Sequence, residues 1–175
     1  MKVSVKKLVF AALCLALCIV LPFLTGQIPQ IGGMLSPMHI PVLLCGFLCG
    51  WPYALAVGLI APLLRHLMFG MPPILTALVM TFELGAYGAF AGIFYRILPK
   101  KTSCIYVALL LAMLAGRVVY GVASFIILGV SGTAFTFQAF LSGAFLTAWP
   151  GILCHIIVIP LIVIALKKAN LMPND

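Results

Sequence analysis

Long apolar runs, broken only by short Gly- and Pro-rich or basic segments, fill this chain and leave few folds open to it. Of 175 residues, 65% are hydrophobic and only 7% charged, with a mean hydropathy of +1.32. A soluble domain has about half apolar and a quarter charged residues, and one of this size has no interior large enough to hide the excess. The sequence therefore reads as an all-α, multi-pass membrane protein forming one six-helix domain over residues 1–175. Its spans fall at about Leu8–Leu24, Met38–Gly50, Tyr53–Phe69, Pro73–Tyr95, Cys104–Leu128 and Gln138–Leu166. The second is short for a crossing at 1.5 Å per residue, so it must tilt, borrow from its flanks or insert only part-way.

Charge sets the expected orientation. Lys2, Lys6 and Lys7, the Arg96–Lys101 cluster, and Lys167 with Lys168 fall on one side of six alternating spans. The connections on the other side, Thr25–Pro37, Gly70–Pro72 and Gly129–Phe137, carry no charge. The positive-inside rule then places both termini in the cytoplasm. It also explains the net charge of +8 without nucleic acid, for which the basic residues form no binding face. The first uncharged loop, rich in Gly and Pro, is expected to be irregular. The basic start followed by an apolar run imitates a secretory signal. Leu21-Pro22-Phe23-Leu24-Thr25 offers no small-residue cleavage site, however, and the run is read as a retained first helix.

Within this apolar background the ionisable residues stand out. The chain has two acids, Glu83 in the fourth run and the terminal Asp175. A carboxylate at bilayer depth is costly and usually faces a protein interior or a wet cavity. Counted from the helix ends, Glu83 lies roughly 15 Å deep, and Arg117 in the fifth run lies at similar depth. Two roles are open to this pair: an ion pair holding the helices together, or the lining of an outward-facing ligand cavity. Arg65, one turn from the outer surface, either snorkels to the interface or joins the site. Tyr87 and Tyr120 lie one turn from Glu83 and Arg117 on the same helix faces. His39 stands at the mouth of the second run, His155 reads as a packing residue, and Trp149 is expected near mid-depth, stacked on a flat ligand or packed in the core.

Other chemistry lacks its groups. The histidines are dispersed and without acidic neighbours, a poor metal site. The six cysteines form no CxxC pair. Cys14/Cys18 and Cys45/Cys49, four apart, read as small residues at close helix contacts. No nucleophile–base pair marks a membrane hydrolase, and no Walker sequence marks an ATPase, so the chain is expected to be no enzyme and to need no cofactor. Ala12 and Ala16 put a small-residue stripe on the first helix, suited to close approach of a neighbour.

Taken together, these features resemble the substrate-binding S components of energy-coupling factor (ECF) vitamin transporters. The likeness rests on six helices in fewer than 200 residues, Ala12-x-x-x-Ala16, the uncharged first loop, Leu35–Gly50 leading into Trp51-Pro52-Tyr53, and Phe82–Gly88 around Glu83. It implies a plasma-membrane protein of a bacterium that captures a vitamin or related micronutrient outside the cell. Such a protein docks on a transmembrane coupling subunit bearing two cytoplasmic ATPases and topples in the lipid bilayer to release its cargo. The resemblance maps the ligand site onto Gln27, Gln30, His39, Glu83, Tyr87, Arg117, Tyr120 and Trp149, and the docking contact onto Ala12 and Ala16. No thiamine, biotin, riboflavin or folate pocket signature is complete. Glu83 with Arg117 suits a small, polar, neutral or zwitterionic heteroaromatic molecule. The rival reading is an independent carrier driven by an ion gradient, against which the lack of an internal repeat counts.

Overall fold

The computed structural model describes residues 4–25, 28–99, 101–132 and 136–172. Its elements are α1 (Val5–Val20), a 3-10 turn (Leu21–Thr25), α2 (Pro29–Leu35), α3 (His39–Cys49), α4 (Trp51–Phe69), α5 (Ile74–Ile97), α6 (Thr102–Val130), α7 (Phe137–Leu141), a π turn (Ser142–Leu146) and α8 (Trp149–Lys168). Among the described residues six helical stretches are long and apolar enough to cross a membrane, and no strand occurs. Helices are the form such runs must take, because lipid offers no partner to an open N–H or C=O.

Two expectations about the connections are corrected. The first uncharged loop is not irregular throughout: Pro29 starts α2, and Ser36, in the left-handed region at φ 46°, ends it. This short helix supplies what the second run lacked, since Gln30–Cys49 together make a 20-residue crossing. The sixth run is not one helix from Gln138 to Leu166. It breaks at Ser142–Ala148, where the Thr147 amide donates to the Ser142 carbonyl five residues back at 2.8 Å. The helix then restarts at Trp149-Pro150, with Pro in the first turn, where its missing N–H costs nothing.

The core is a slab of α3, α4 and α5, flanked by α1 and α6. Glycine makes the slab thin. A Cβ on Gly88 of α5 would lie 2.6 Å from the Ala54 carbonyl oxygen of α4, and one on Gly46 of α3 would lie 2.8 Å from the Ala91 Cβ. Such backbone-to-backbone approach is how helices gain contact where lipid is as apolar as leucine. On the other side, α1 turns the buried Cys14 and Cys18 toward α3, and the Cys18 thiol donates to the Met38 carbonyl at 3.6 Å. The cysteines are free thiols, and the four in this seam act as small packing residues. At the far ends, Gly50 (φ 89°) and Gly70 (φ 68°) end α3 and α4 in conformations that favour glycine.

Candidate functional site

A cavity of about 460 Å³ lies at the uncharged end of the bundle. Its roof comes from the 3-10 turn and α2 (Pro22, Thr25, Ile28, Gly32), one wall from α5, another from α6, and the rest from the start of α3 with His39, Arg65 of α4, the α4–α5 connection, and Gly143 with Thr147. The α5 wall is Thr76, Met80 and Glu83, spaced at one helical face. The break in the sixth run belongs to this design, because it brings Gly143 and Thr147 to the cavity.

Glu83 is the electrostatic centre. It is 3% exposed, and its Oε1 accepts a hydrogen bond from Arg117 Nη1 at 2.9 Å. Both side chains also line the cavity: the pair ties α5 to α6 and forms part of the wall. Arg117 in turn lies 5.9 Å from the Tyr120 ring centroid, within cation–π range. Tyr120 lines the cavity and is backed by the stacked ring of Phe140.

His39 stands on the same carboxylate, with Nε2 3.4 Å from Glu83 Oε1. The approach is close enough for ion pairing but is not aligned as a hydrogen bond, since both ring nitrogens lack a hydrogen-bond partner. The expectation of histidines without acidic neighbours therefore fails for His39: chain folding brings together residues 44 positions apart in sequence,. His155 is stacked on His39 with ring centroids 5.9 Å apart. Among the described residues, the buried side-chain nitrogens and oxygens with no hydrogen-bond partner are His39 Nδ1 and Nε2, Arg117 Nε and His155 Nε2. Buried polar atoms are normally satisfied. Here the unsatisfied ones gather around one carboxylate beside one cavity.

Three sequence-predicted residues take other positions. Tyr87 is 1% exposed and does not line the cavity. It packs edge-on against His39 at 5.0 Å and fits over Gly116, where a Cβ would lie 2.8 Å from its ring. Tyr87 thus props the His39 ring from behind. Trp149 is not at mid-depth but in the first turn of α8, 58% exposed and outside the lining. The π turn rotates the start of α8, which defeats a position counted along an unbroken helix. Gln30 is exposed on α2 and also lies outside the lining, and Gln27 lies outside the described residues.

Arg65 does not snorkel. It is 2% exposed, its guanidinium lies over the rings of Phe23 (4.9 Å) and Phe69 (5.5 Å), and Nη1 donates to the Ile19 carbonyl. It lines the cavity. Next to it, His66 Nδ1 bonds the Pro72 carbonyl at 2.8 Å and pins the α4–α5 connection. Thr76 and Met80 were missed in the sequence, although their spacing to Glu83 was there to be read. Among the described residues no three His, Cys, Asp or Glu side chains form a group able to hold a metal ion.

An all-helical membrane bundle with a closed polar cluster at the floor of a cavity of this size is built to hold a small molecule. The chain matches the family model of the ECF transporter substrate-specific component over residues 6–164, and it belongs to that family. Searches of curated proteins and of solved structures return no match. The family is one of transporter binding components, not of enzymes.

Proposed function

We propose that this chain captures a vitamin or related micronutrient outside the cell and hands it to a separate ATP-driven module. The observation that carries this reading is the Glu83–Arg117 pair set in the cavity wall, with unsatisfied nitrogens of His39, Arg117 and His155 around it. A purely structural ion pair gains nothing from a cavity beside it, and buried pairs add little stability over apolar packing. Both termini are cytoplasmic in this reading, so the cavity faces outward and the substrate enters from the uncharged side.

Delivery uses α1. Ala12 and Ala16 are exposed, amid exposed Leu8, Leu13 and Leu17, while Ala11, Cys14 and Cys18 on the opposite face pack inward. The exposed stripe is the surface for a transmembrane coupling subunit that carries two cytoplasmic ATPases. The test is ligand binding by the detergent-purified chain alone, against B vitamins, their precursors and modified nucleobases, with Glu83→Gln and Arg117→Ala in parallel. Submicromolar binding of one compound, weakened in both variants, is expected. Uptake in cells that follows an ion gradient and needs no ATPase partner would replace this reading with the independent carrier.

A further inference from the structure

The cavity contains a charge imbalance. Arg65 and Arg117 both line it, and Glu83 is the only acidic side chain among the described residues. Glu83 is engaged by Arg117 at 2.9 Å. Arg65 has no carboxylate partner among those residues, and of its five N–H donors one is bonded there, to the Ile19 carbonyl. Two phenyl rings hold the guanidinium in place but do not neutralise it. A cation that is 2% exposed in a membrane span is costly unless something answers its charge.

From this we infer that the ligand is an anion, and that Arg65 is the residue that reads its carboxylate or phosphate group. The inference rests on the capture reading above and replaces the neutral or zwitterionic ligand expected from Glu83 and Arg117 alone. Helix register gives the ligand a length. Helices α4 and α5 run antiparallel, with Ala54 beside Gly88 and Gly58 beside Leu84. That register puts Arg65 level with Ala77 and Leu78, five to six residues nearer the uncharged end than Glu83, which is about 8 Å along the axis. On α5 the lining residue between those two levels is the apolar Met80. The ligand therefore has three parts: an anionic group at Arg65, an uncharged body that bridges backbone levels about 8 Å apart, and a hydrogen-bonding end at Glu83, Arg117 and His39. A planar guanidinium suits carboxylate and phosphate alike, and the experiment separates them.

Binding to the purified full chain is measured with matched acid and neutral pairs of suitable length: biotin and biotinamide, pantothenate and panthenol, lipoate and lipoamide, with pyridoxal phosphate and pyridoxal for the phosphate case. Small molecules released on denaturing the protein as isolated from cells are identified by mass spectrometry in parallel. The charged member of one pair, or a released anion, is expected to bind at least tenfold more tightly than its neutral counterpart. Arg65→Gln should remove that preference and Arg65→Lys should keep most of it. Should Arg65→Gln fail to elute as a monodisperse species, the acid-to-neutral ratio on the parent chain decides alone. Equal binding of both members, or a released ligand that is neutral or cationic, overturns the anion inference and leaves capture standing. No bound and no released molecule overturns both.

Discussion

The Glu83–Arg117 contact is the most exacting test of the site, because its strength follows from geometry. One Nη1–Oε1 bond of 2.9 Å joins side chains that are 3% and 9% exposed. Hydrogen bonds to charged groups contribute about 1.5–3 kcal/mol net, and this one is single rather than forked, beside a cavity that admits solvent. The lower part of that range applies, so a double-mutant cycle of Glu83→Ala and Arg117→Ala should give a coupling of about 1.5–2 kcal/mol. Each single change should cost more than the coupling alone, about 3 kcal/mol, the low end for a buried pair whose other partner is stranded, because the site borders a cavity. The double variant should recover part of that loss. Unfolding midpoints in mixed detergent micelles, without ligand, provide the four free energies. A coupling below about 0.5 kcal/mol, within the range of additive sites, would mean the two side chains are not paired in the empty protein. The cavity wall described above would then be wrong.

Gly88→Val drives a branched side chain into the Ala54 carbonyl, 2.6 Å from its Cβ, and should destabilise the α4–α5 contact by at least about 1–3 kcal/mol, seen as loss of monodisperse protein on size exclusion. Gly116→Ala presses on the Tyr87 ring, 2.8 Å away, and through it on His39; ligand affinity should fall about tenfold although no lining residue has changed, and an unchanged Kd would remove Tyr87 from the positioning role. Trp149→Ala, by contrast, should leave affinity within about twofold, since Trp149 is 58% exposed and outside the cavity. Ala12→Trp should abolish uptake in whole cells while binding by the purified chain persists, and a matched loss of both would show that the exposed α1 stripe is needed for folding instead.

The sequence made the fold class legible for a simple reason. In a bilayer the length and polarity of a run decide whether it spans, and five runs met that condition before any contact was known, while the second, Met38–Gly50, fell short. It was less informative wherever backbone geometry departs from a regular helix. Thr25–Pro37 is rich in glycine and proline and uncharged, which reads as loop. Yet Pro29 sits at a position where proline starts a helix, and Ser36 accepts the left-handed turn that ends it. The π turn at Ser142–Leu146 left no mark that periodicity detects, because the few polar residues around it, Gln138, Ser142 and Thr147, are scattered through an otherwise apolar run. That single irregularity moved Trp149 out of the site and brought Gly143 and Thr147 in.

Charge was legible in identity and depth but not in direction. Depth counting put Glu83 and Arg117 at similar levels and left their pairing open; they meet because both lie on single unbroken helices, α5 and α6, that pack side by side. It did not settle Arg65, because one turn from a helix end a long side chain can reach either the interface or the interior. What turned Arg65 inward lies elsewhere in the chain: the last turns of α1 and the 3-10 segment place the Ile19 carbonyl and the Phe23 ring where the guanidinium meets them, and Phe69 closes the other side. His39 and His155, 116 residues apart, became one stacked pair by the same route, through the packing of α3 on α8. A lone polar residue in an apolar run thus announces a site, and its role depends on which backbone carbonyls and rings other helices bring to it. In this chain those partners come from α1, α3 and α8, and they turn three separate sequence signals, at positions 39, 65 and 83, toward one cavity.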